Sequence, residues 1–270
     1  MRNRKNFLLQ LNNFYVLALV SVLFVSCEKT DLQVRIEQNA SALGQESVTL
    51  TAITANNTPY YWATAMIENV TVDNNIYSTV NADDVVTWSG VNGATQYYCK
   101  TDCSGLVTKL LKQTYGYTNT YFQNWTGTSN PYAVTYYNEI KAKDHFSQIG
   151  SVTNIMQGDI IAIKYPISNS NTGHIMIVSK APVTRTASSP LVTGTKQYEI
   201  EVVDQSSSGH GSLDTRFISS GNFNDGIGRG IFRVYVNSKN SIVGYTWSTY
   251  STSVYYSQTD RPLIVGRLVP

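Results

Sequence analysis

One amphipathic helix followed by a series of strand patterns is the feature that most constrains the fold of this chain. Apolar residues recur at helical spacing after Cys103, and Gly116 can end that helix. Farther along, short runs rich in β-branched and aromatic residues predict strands. The six candidate strands are Asp159–Tyr165, His174–Lys180, Tyr198–Asp204, Gly230–Val236, Ser241–Trp247 and Leu263–Leu268. This order predicts an α+β fold in which an antiparallel β-sheet packs on one central helix.

The first 26 residues have the pattern of a secretory signal peptide. Three basic residues, Arg2, Arg4 and Lys5, precede an apolar run over residues 14–25. That run is shorter than the roughly 20 apolar residues that span a bilayer. It ends in a small residue and Cys27, which resembles the lipobox of bacterial lipoproteins and implies that Cys27 is acylated. The alternative is a plain signal peptide cut nearby, which would release a soluble protein.

The charge balance gives no sign of a nucleic-acid partner. The chain has 20 Lys and Arg against 18 Asp and Glu, and removing the three basic residues of the leader leaves 17 against 18, or −1. Nucleic-acid-binding proteins usually carry a basic stripe. A hydrophobic content of 42% is enough for a core, which excludes wholesale disorder. We expect a monomer without a cofactor, and without a metal because no His/Cys cluster has zinc spacing.

Cys103 stands where the predicted central helix begins. A thiol at a helix N-terminus meets the positive end of the macrodipole, which favours the thiolate. The backbone N–H groups of the first turn have no partner within the helix, so they can form an oxyanion hole. These features predict a nucleophilic cysteine. In an exported protein, the alternative is a disulfide between Cys99 and Cys103.

A nucleophilic cysteine needs a base, and His174 is the best of three candidate histidines. His174 opens one predicted strand, and Asp204 closes the next. If these strands form an antiparallel pair joined by residues 181–197, His174 lies opposite Asp204, whose carboxylate can orient the imidazole. His145 lies in a polar stretch and is predicted to be on the surface. His210 either lines the same cleft or is an exposed loop histidine.

Three segments of the sequence, taken in their order along the chain, include the candidate nucleophile and the candidate base. They are Asp102-Cys103-Ser104-Gly105-Leu106-Val107, Gln157-Gly158-Asp159-Ile160-Ile161 and Gly173-His174-Ile175-Met176-Ile177-Val178. The set resembles the NlpC-type cell-wall peptidases of the papain-like superfamily, over roughly residues 95–250. The resemblance implies a papain-like NlpC-type fold with Cys103, His174 and Asp204 as the catalytic residues. The segments Val203–Gly211 and Gly228–Arg233 also look like a largely uncharacterised branch of that family.

The resemblance further implies a function in the cell envelope. It implies a lipid-anchored cysteine hydrolase, facing the periplasm or the cell surface, that cleaves peptide bonds in the stem peptides of peptidoglycan. Asp102 and Ser104 would then meet the free amine of the stem peptide. The tyrosine that many family members carry upstream of the cysteine has no match at 87–90. The alternatives are a catalytically inactive binding lipoprotein on the same fold, and an amidase or acyltransferase with another amide substrate.

The sequence thus predicts three parts of the chain. Residues 1–26 are the lipoprotein signal peptide, residues 27–80 a polar tether with short strands, and residues 81–270 an NlpC-like cysteine hydrolase domain. The Tyr-rich segment 115–137 is longer than a simple connection needs. It is predicted either to shape a substrate groove or lid, or to pack its aromatic side chains onto the core.

Overall fold

The computed structural model describes residues 57–80, 84–166 and 171–270. The chain divides into two units, Met1–Thr51 and Ala52–Pro270, and every described residue belongs to the second. The predicted signal peptide, Cys27 and much of the predicted tether therefore lie outside the described residues. Within the described ranges, no helix combines the length and the hydropathy needed to cross a membrane.

Helices come first along the described chain and strands dominate its second half. The α-helices are α1 (Pro59–Asn69), α2 (Cys103–Tyr115), α3 (Asn119–Thr126) and α4 (Ala133–Ala142), with 3₁₀ turns at Val72–Asn74 and Val152–Asn154. The strands are β1 (Asn75–Tyr77), β2 (Val85–Thr87), β3 (Tyr98–Thr101), β4 (Phe146–Gln148), β5 (Ile160–Lys164), β6 (Gly173–Val178), β7 (Val183–Arg185), β8 (Lys196–Ser206), β9 (Phe217–Ser219), β10 (Asn222–Phe223), β11 (Gly226–Val236), β12 (Ile242–Thr246), β13 (Tyr256–Ser257) and β14 (Leu263–Leu268).

A nine-stranded antiparallel sheet forms the centre of the fold. Its strand order is β13-β12-β11-β8-β6-β5-β14-β4, and β7 pairs with β8 beside this path. All six strands predicted from the sequence belong to it, as β5, β6, β8, β11, β12 and β14. A small sheet of order β1-β3-β2 leads into α2, with β1 and β3 parallel. The predicted α+β class is confirmed.

The predicted central helix is also confirmed, and its ends follow from local chemistry. Asp102 is the N-cap, and its Oδ1 accepts a hydrogen bond of 2.6 Å from the Gly105 backbone N–H. Gly116 ends the helix in the left-handed conformation at φ 71°. The apolar face of α2, formed by Leu106, Val107, Leu110 and Leu111, is buried against one face of the central sheet.

In the described part of the predicted tether, the structure has the short strand β1 but also a helix, α1, that the sequence analysis did not predict. Thr58 caps α1 through a 3.0 Å bond from the Tyr61 N–H, and Pro59 stands at the first helical turn, where its missing N–H costs nothing. Ala63 and Met66 are fully buried in the same core as α2. The predicted domain boundary at residue 80 therefore falls inside the folded unit, whose core needs α1.

The Tyr-rich segment is helical rather than a loop. It contains α3 and the start of α4, and Phe122 and Tyr136 are fully buried. The rings of Tyr117 and Tyr121 stack at 4.0 Å between centroids. The aromatic side chains thus pack this insertion onto the core, which is the second of the two predicted alternatives.

Both faces of the central sheet are buried, and this arrangement fixes the start of β6. All six residues of β6 are buried: Ile175 and Ile177 pack on the helix side, and Met176 and Val178 pack in a second core on the opposite face. The strand therefore has little freedom to shift. Its first two residues, Gly173 and His174, lie where the sheet meets the N-terminus of α2.

Gly173→Ala is expected to lower the free energy of unfolding by about 2 kcal/mol. Gly173 has φ 154°, and a Cβ there would collide with the backbone carbonyl of Ile163 on the neighbouring strand. Denaturant unfolding of both proteins measures the difference. Gly150→Ala is the matched control, because no atom lies within 4 Å of a Cβ at that exposed position. Equal losses in the two variants would contradict this account of Gly173.

Candidate active site

The thiol of Cys103 lies at the first residue of α2 and contacts His174. Cys103 is 6% exposed. Its side chain lies close enough to the imidazole of His174 to raise the pKa of that ring. The first turn of α2 presents backbone N–H groups beside the sulfur, as predicted from the sequence. The structure therefore brings the predicted nucleophile and the predicted base together.

His174 also contacts Asp204, although the predicted register of the two strands is wrong by two residues. The ladder pairs Ile177 with Val203 and Val178 with Val202, a register in which Met176 rather than His174 lies opposite Asp204. The side chains still meet, because a shift of two residues preserves the face of the sheet and diagonal neighbours are within reach of long side chains. His174 Nε2 donates to Asp204 Oδ2 at 2.6 Å, which leaves Nδ1 for Cys103.

The carboxylate of Asp204 is almost completely buried and accepts three hydrogen bonds. Besides His174, the Nε2 of His210 donates to Oδ2 at 3.1 Å, and Nη2 of Arg216 donates to Oδ1 at 2.8 Å. Asp204 is 2% exposed. A buried carboxylate with this many donors is held in one orientation, which in turn fixes the ring of His174.

His210 belongs to this buried network and is not an exposed loop histidine. It is 4% exposed, and its Nδ1 donates to the backbone carbonyl of Trp247 at 2.7 Å. The two ring nitrogens of His210 therefore face two acceptors, the backbone carbonyl oxygen of Trp247 and the ionised carboxylate of Asp204. His210 contacts the acid of the site rather than the nucleophile.

Arg216 and Asp214 complete the network behind Asp204. Nε and Nη2 of Arg216 donate to the two oxygens of Asp214 at 2.9 and 2.8 Å, and Nη1 donates to the Gly226 carbonyl at 3.0 Å. Two glycines of β11 make room for this loop: a Cβ at Gly228 would strike the side chain of Arg216, and one at Gly230 would strike Asp214. Gly228 and Gly230, both in the Gly228–Arg233 segment, are therefore required for steric reasons.

The charges of the network shift the pKa values of its members. Burial lowers the pKa of His174, but the negative charge of Cys103 and the hydrogen bonds to Asp204 and Cys103 outweigh it and raise this pKa to about 10. Burial raises the pKa of Asp204, but the charges of Arg216 and His210 and the bonds from both histidines hold it well below its usual range. The protonated form of His174 is thus favoured by its position between Cys103 and the carboxylate of Asp204.

Cys99 does not form a disulfide with Cys103, because both thiols are free. The Cys99 thiol is fully buried and donates to Gln205 Oε1 at 3.5 Å. Burial and the charge of Asp84 raise its pKa, so Cys99 stays a protonated, enclosed thiol.

Asp102 and Ser104, the residues predicted to bind a substrate amine, bond to each other and to the helix start. The Ser104 hydroxyl donates to Asp102 Oδ1 at 2.9 Å, and the same oxygen caps α2. Ser104 is 4% exposed. Their predicted contact with substrate stays a prediction.

Three aromatic residues near the site were not singled out from the sequence. The rings of Trp247 and His174 form a T-shaped contact, with 5.3 Å between centroids. Tyr77 and Tyr165 both lie close enough to Cys103 for its charge to act on their phenols. No local sequence pattern identifies these three residues, because they come from separate parts of the chain. Tyr77 lies in β1, Tyr165 directly follows β5 and Trp247 directly follows β12.

Tyr77 enters the site through the small sheet. Its partner in the parallel ladder is Thr101, two residues before Cys103. Burial and the negative charges of Cys103, Asp102 and Asp204 raise the pKa of Tyr77 above its usual range, so its hydroxyl keeps the proton. The surroundings of Cys103 thus include a protonated phenol from β1, whereas residues 87–90 supply no tyrosine.

A metal centre has no support in the described ranges, where no group of three or more His, Cys, Asp or Glu side chains could hold an ion. The charged groups of the site instead satisfy one another.

Comparison with known proteins shows one family relationship. An uncharacterized protein of Acanthamoeba polyphaga mimivirus is 33% identical to this chain over 216 residues, which cover 77% of the chain and 94% of the viral protein. The chain belongs to the same family as this viral protein. No family model and no solved structure matches the chain.

Asp204→Asn is expected to lower the free energy of unfolding by about 3 kcal/mol at pH 6.5, because it leaves Arg216 and His210 without their shared anion. The pKa of Asp204 is lowered in the fold. The stabilisation that ionised Asp204 provides is therefore fully present above a pH of about 3.9, the ordinary pKa of an aspartate. It is lost as the pH falls through the lower pKa that Asp204 has in the folded protein. Denaturant unfolding at pH 6.5 and pH 3 measures both effects.

The exposed Asp73 supplies the control for that experiment. Asp73→Asn should change stability by less than about 0.5 kcal/mol at either pH. A difference between wild type and the Asp204 variant that stayed constant from pH 6.5 to pH 3 would contradict the lowered pKa of Asp204.

Proposed function

We propose that this protein is a cysteine hydrolase that cleaves amide bonds by acyl transfer to water. The observation that carries the proposal is the chain of contacts from Cys103 through His174 to Asp204. Each member is buried, and each stands in the order that nucleophile, base and orienting acid require. A histidine with a raised pKa, placed between a thiol at a helix N-terminus and a buried carboxylate, is the kind of perturbed group that clusters at functional sites.

The reaction begins with attack by the Cys103 thiolate on an amide carbonyl carbon. The C–N bond breaks as His174 Nδ1–H gives its proton to the leaving amine nitrogen, and an acyl-thioester remains on Cys103. Water then attacks the thioester carbon and His174 takes a proton from the water. The C–S bond breaks, which restores the Cys103 thiolate beside protonated His174 and releases the carboxylic acid. Asp204 keeps the ring of His174 in place throughout.

The negative oxygen that forms in each step needs hydrogen-bond donors. Backbone N–H groups at the start of α2 are one source. The neutral phenol of Tyr77 is the second, because it lies near both Cys103 and Asp204. Such donors typically contribute a factor of about 10² to 10³ in kcat each.

We further propose that the fold is papain-like and of the NlpC type, and that the substrate is a peptidoglycan stem peptide. A nucleophile on the first turn of a central helix and a base at the start of a sheet strand support the proposed fold. The proposed signal peptide and acylated Cys27 would anchor the enzyme to the cell envelope, within reach of this substrate. We propose a monomer whose specificity comes from the cleft itself.

Thiol labelling tests the nucleophile directly. Cys103 is expected to react rapidly with iodoacetamide near pH 6, and His174→Ala should slow that reaction by at least about tenfold because the thiolate loses its cation. Mass spectrometry after timed labelling identifies the modified cysteine. Cys99→Ser is the control, because removal of an enclosed thiol should leave the labelling rate unchanged. Equal rates in wild type and the His174 variant at pH 6 would overturn the proposal.

Hydrolysis of purified muropeptides then tests the substrate. Wild type should release free amines that Cys103→Ala does not release. An activated Cys103 without muropeptide cleavage would retain the nucleophile and overturn the proposed substrate.

Tyr77→Phe separates the oxyanion donor from the nucleophile. The variant is expected to lower kcat for amide hydrolysis about 10- to 100-fold, since it removes one donor to the developing oxyanion. Alkylation of Cys103 by iodoacetamide forms no oxyanion, so its rate should change less than about twofold. Kinetics and labelling on the same preparation measure both. A parallel fall in the two rates would show that Tyr77 instead supports the site as a whole.

A further inference from the structure

A cavity of about 340 Å³ opens at the end of β5. Its walls come from α4, from the end of β5 and from the segment before β14. The lining side chains that matter here are Tyr137, Lys141, Lys164, Tyr165, Thr259 and Asp260. None of them takes part in the network of Cys103, His174 and Asp204.

The cavity opens at the end of β5 that pairs with the start of β6, the strand that carries His174. In the ladder of β5 and β6, Ile163 pairs with His174 and Lys164 pairs with Gly173, and paired residues have Cα atoms about 4.5–5.5 Å apart. The next residue, Tyr165, donates its backbone N–H to Thr172 at 3.1 Å. Its phenol also lies within the electrostatic reach of Cys103. The cavity thus shares Tyr165 with the surroundings of Cys103 and lies at the same end of β5 as His174.

The cavity is rich in positive charge. Neither Lys141 nor Lys164 has an ion-pair partner among the described residues. Outside the lining, Arg261 stacks on the ring of Tyr165 at 4.6 Å from its centroid. The lining acid is Asp260, and its Oδ2 accepts a 2.7 Å hydrogen bond from Ser257. Lysine ammonium groups without ion-pair partners attract anions to a concave site, and the low-dielectric walls of the site strengthen their electric field.

We propose that this cavity is a subsite for a carboxylate carried by the substrate next to the amide bond that is cleaved. The inference rests on the proposed function, since it places the subsite beside Cys103. Lys164 supplies one ammonium group from the strand next to His174, and Lys141 supplies another from α4. Tyr137 and Thr259 add hydroxyl groups that can donate to the same carboxylate. The enzyme thus prefers substrates with a free carboxylate over their neutral amides.

Matched alkylating probes test this preference without a known substrate. The first pair is N-iodoacetyl-alanine and N-iodoacetyl-alaninamide, and the second pair adds one alanine to each. In every case the sulfur of Cys103 forms a bond to the same CH₂ carbon and iodide leaves, so the members of a pair differ only in one negative charge. The ratio of their alkylation rates on the full chain, at pH 6 and low salt, measures the charge preference of the site.

In at least one pair of probes, the carboxylate is expected to alkylate Cys103 about fivefold faster than the amide. This is the size of rate difference that two partly exposed ion pairs can produce. Lys164→Met and Lys141→Met should each reduce that ratio, the double variant should bring it close to one, and Lys164→Arg should keep it. Added salt should also reduce the ratio. Lys239→Met is the control, because this exposed lysine lies in the turn after β11, at the end of that strand far from the site.

The results separate the two proposals. Rapid labelling by the amides with no faster labelling by the carboxylates would overturn the subsite and leave the nucleophile in place. A preference that persisted in the double lysine variant would also overturn it. Slow labelling by every probe, unchanged by His174→Ala, would overturn the nucleophile and with it the subsite. The amide rate in each lysine variant reports whether that variant is folded.

Discussion

The buried carboxylate of Asp204 is the group on which the rest of the site depends. It accepts hydrogen bonds from His174, His210 and Arg216 while it is 2% exposed to solvent. A buried anion is costly unless its surroundings supply compensating charge and donors, and here both are supplied by the fold. Asp214 neutralises part of the resulting positive charge. The imidazole of His174 is thereby fixed between this acid and the thiol of Cys103.

This network explains several features that lie outside the site. The long strands β8 and β11 run side by side for their whole length, from Ser206 and Gly226 to Lys196 and Val236. That pairing sets Asp204 opposite Gly228, where the missing side chain leaves space for Arg216. Burial of both faces of the central sheet then keeps the register from slipping. Packing that makes no contact with a substrate thus holds the acid in position.

Sequence patterns predicted the elements whose signals are local. The helix after Cys103, its end at Gly116 and six strands of the central sheet all have periodicity or capping chemistry within a short window. Helices α1, α3 and α4 were missed, because their aromatic and β-branched residues have low helical propensity and only tertiary packing favours the helix. The Thr58-Pro59 start of α1 was a local signal that could have identified it.

The sequence by itself determined that Cys103 begins a helix, that His174 opens a strand and that Asp204 shares its face of the sheet. Only the tertiary structure decided the register, the role of His210 and the presence of Arg216, Tyr77 and Tyr165 around the site. The reason is physical: propensity and periodicity act between near neighbours in the chain. Side chains more than 100 positions apart, such as Tyr77 and Asp204, meet only where the sheets pack together.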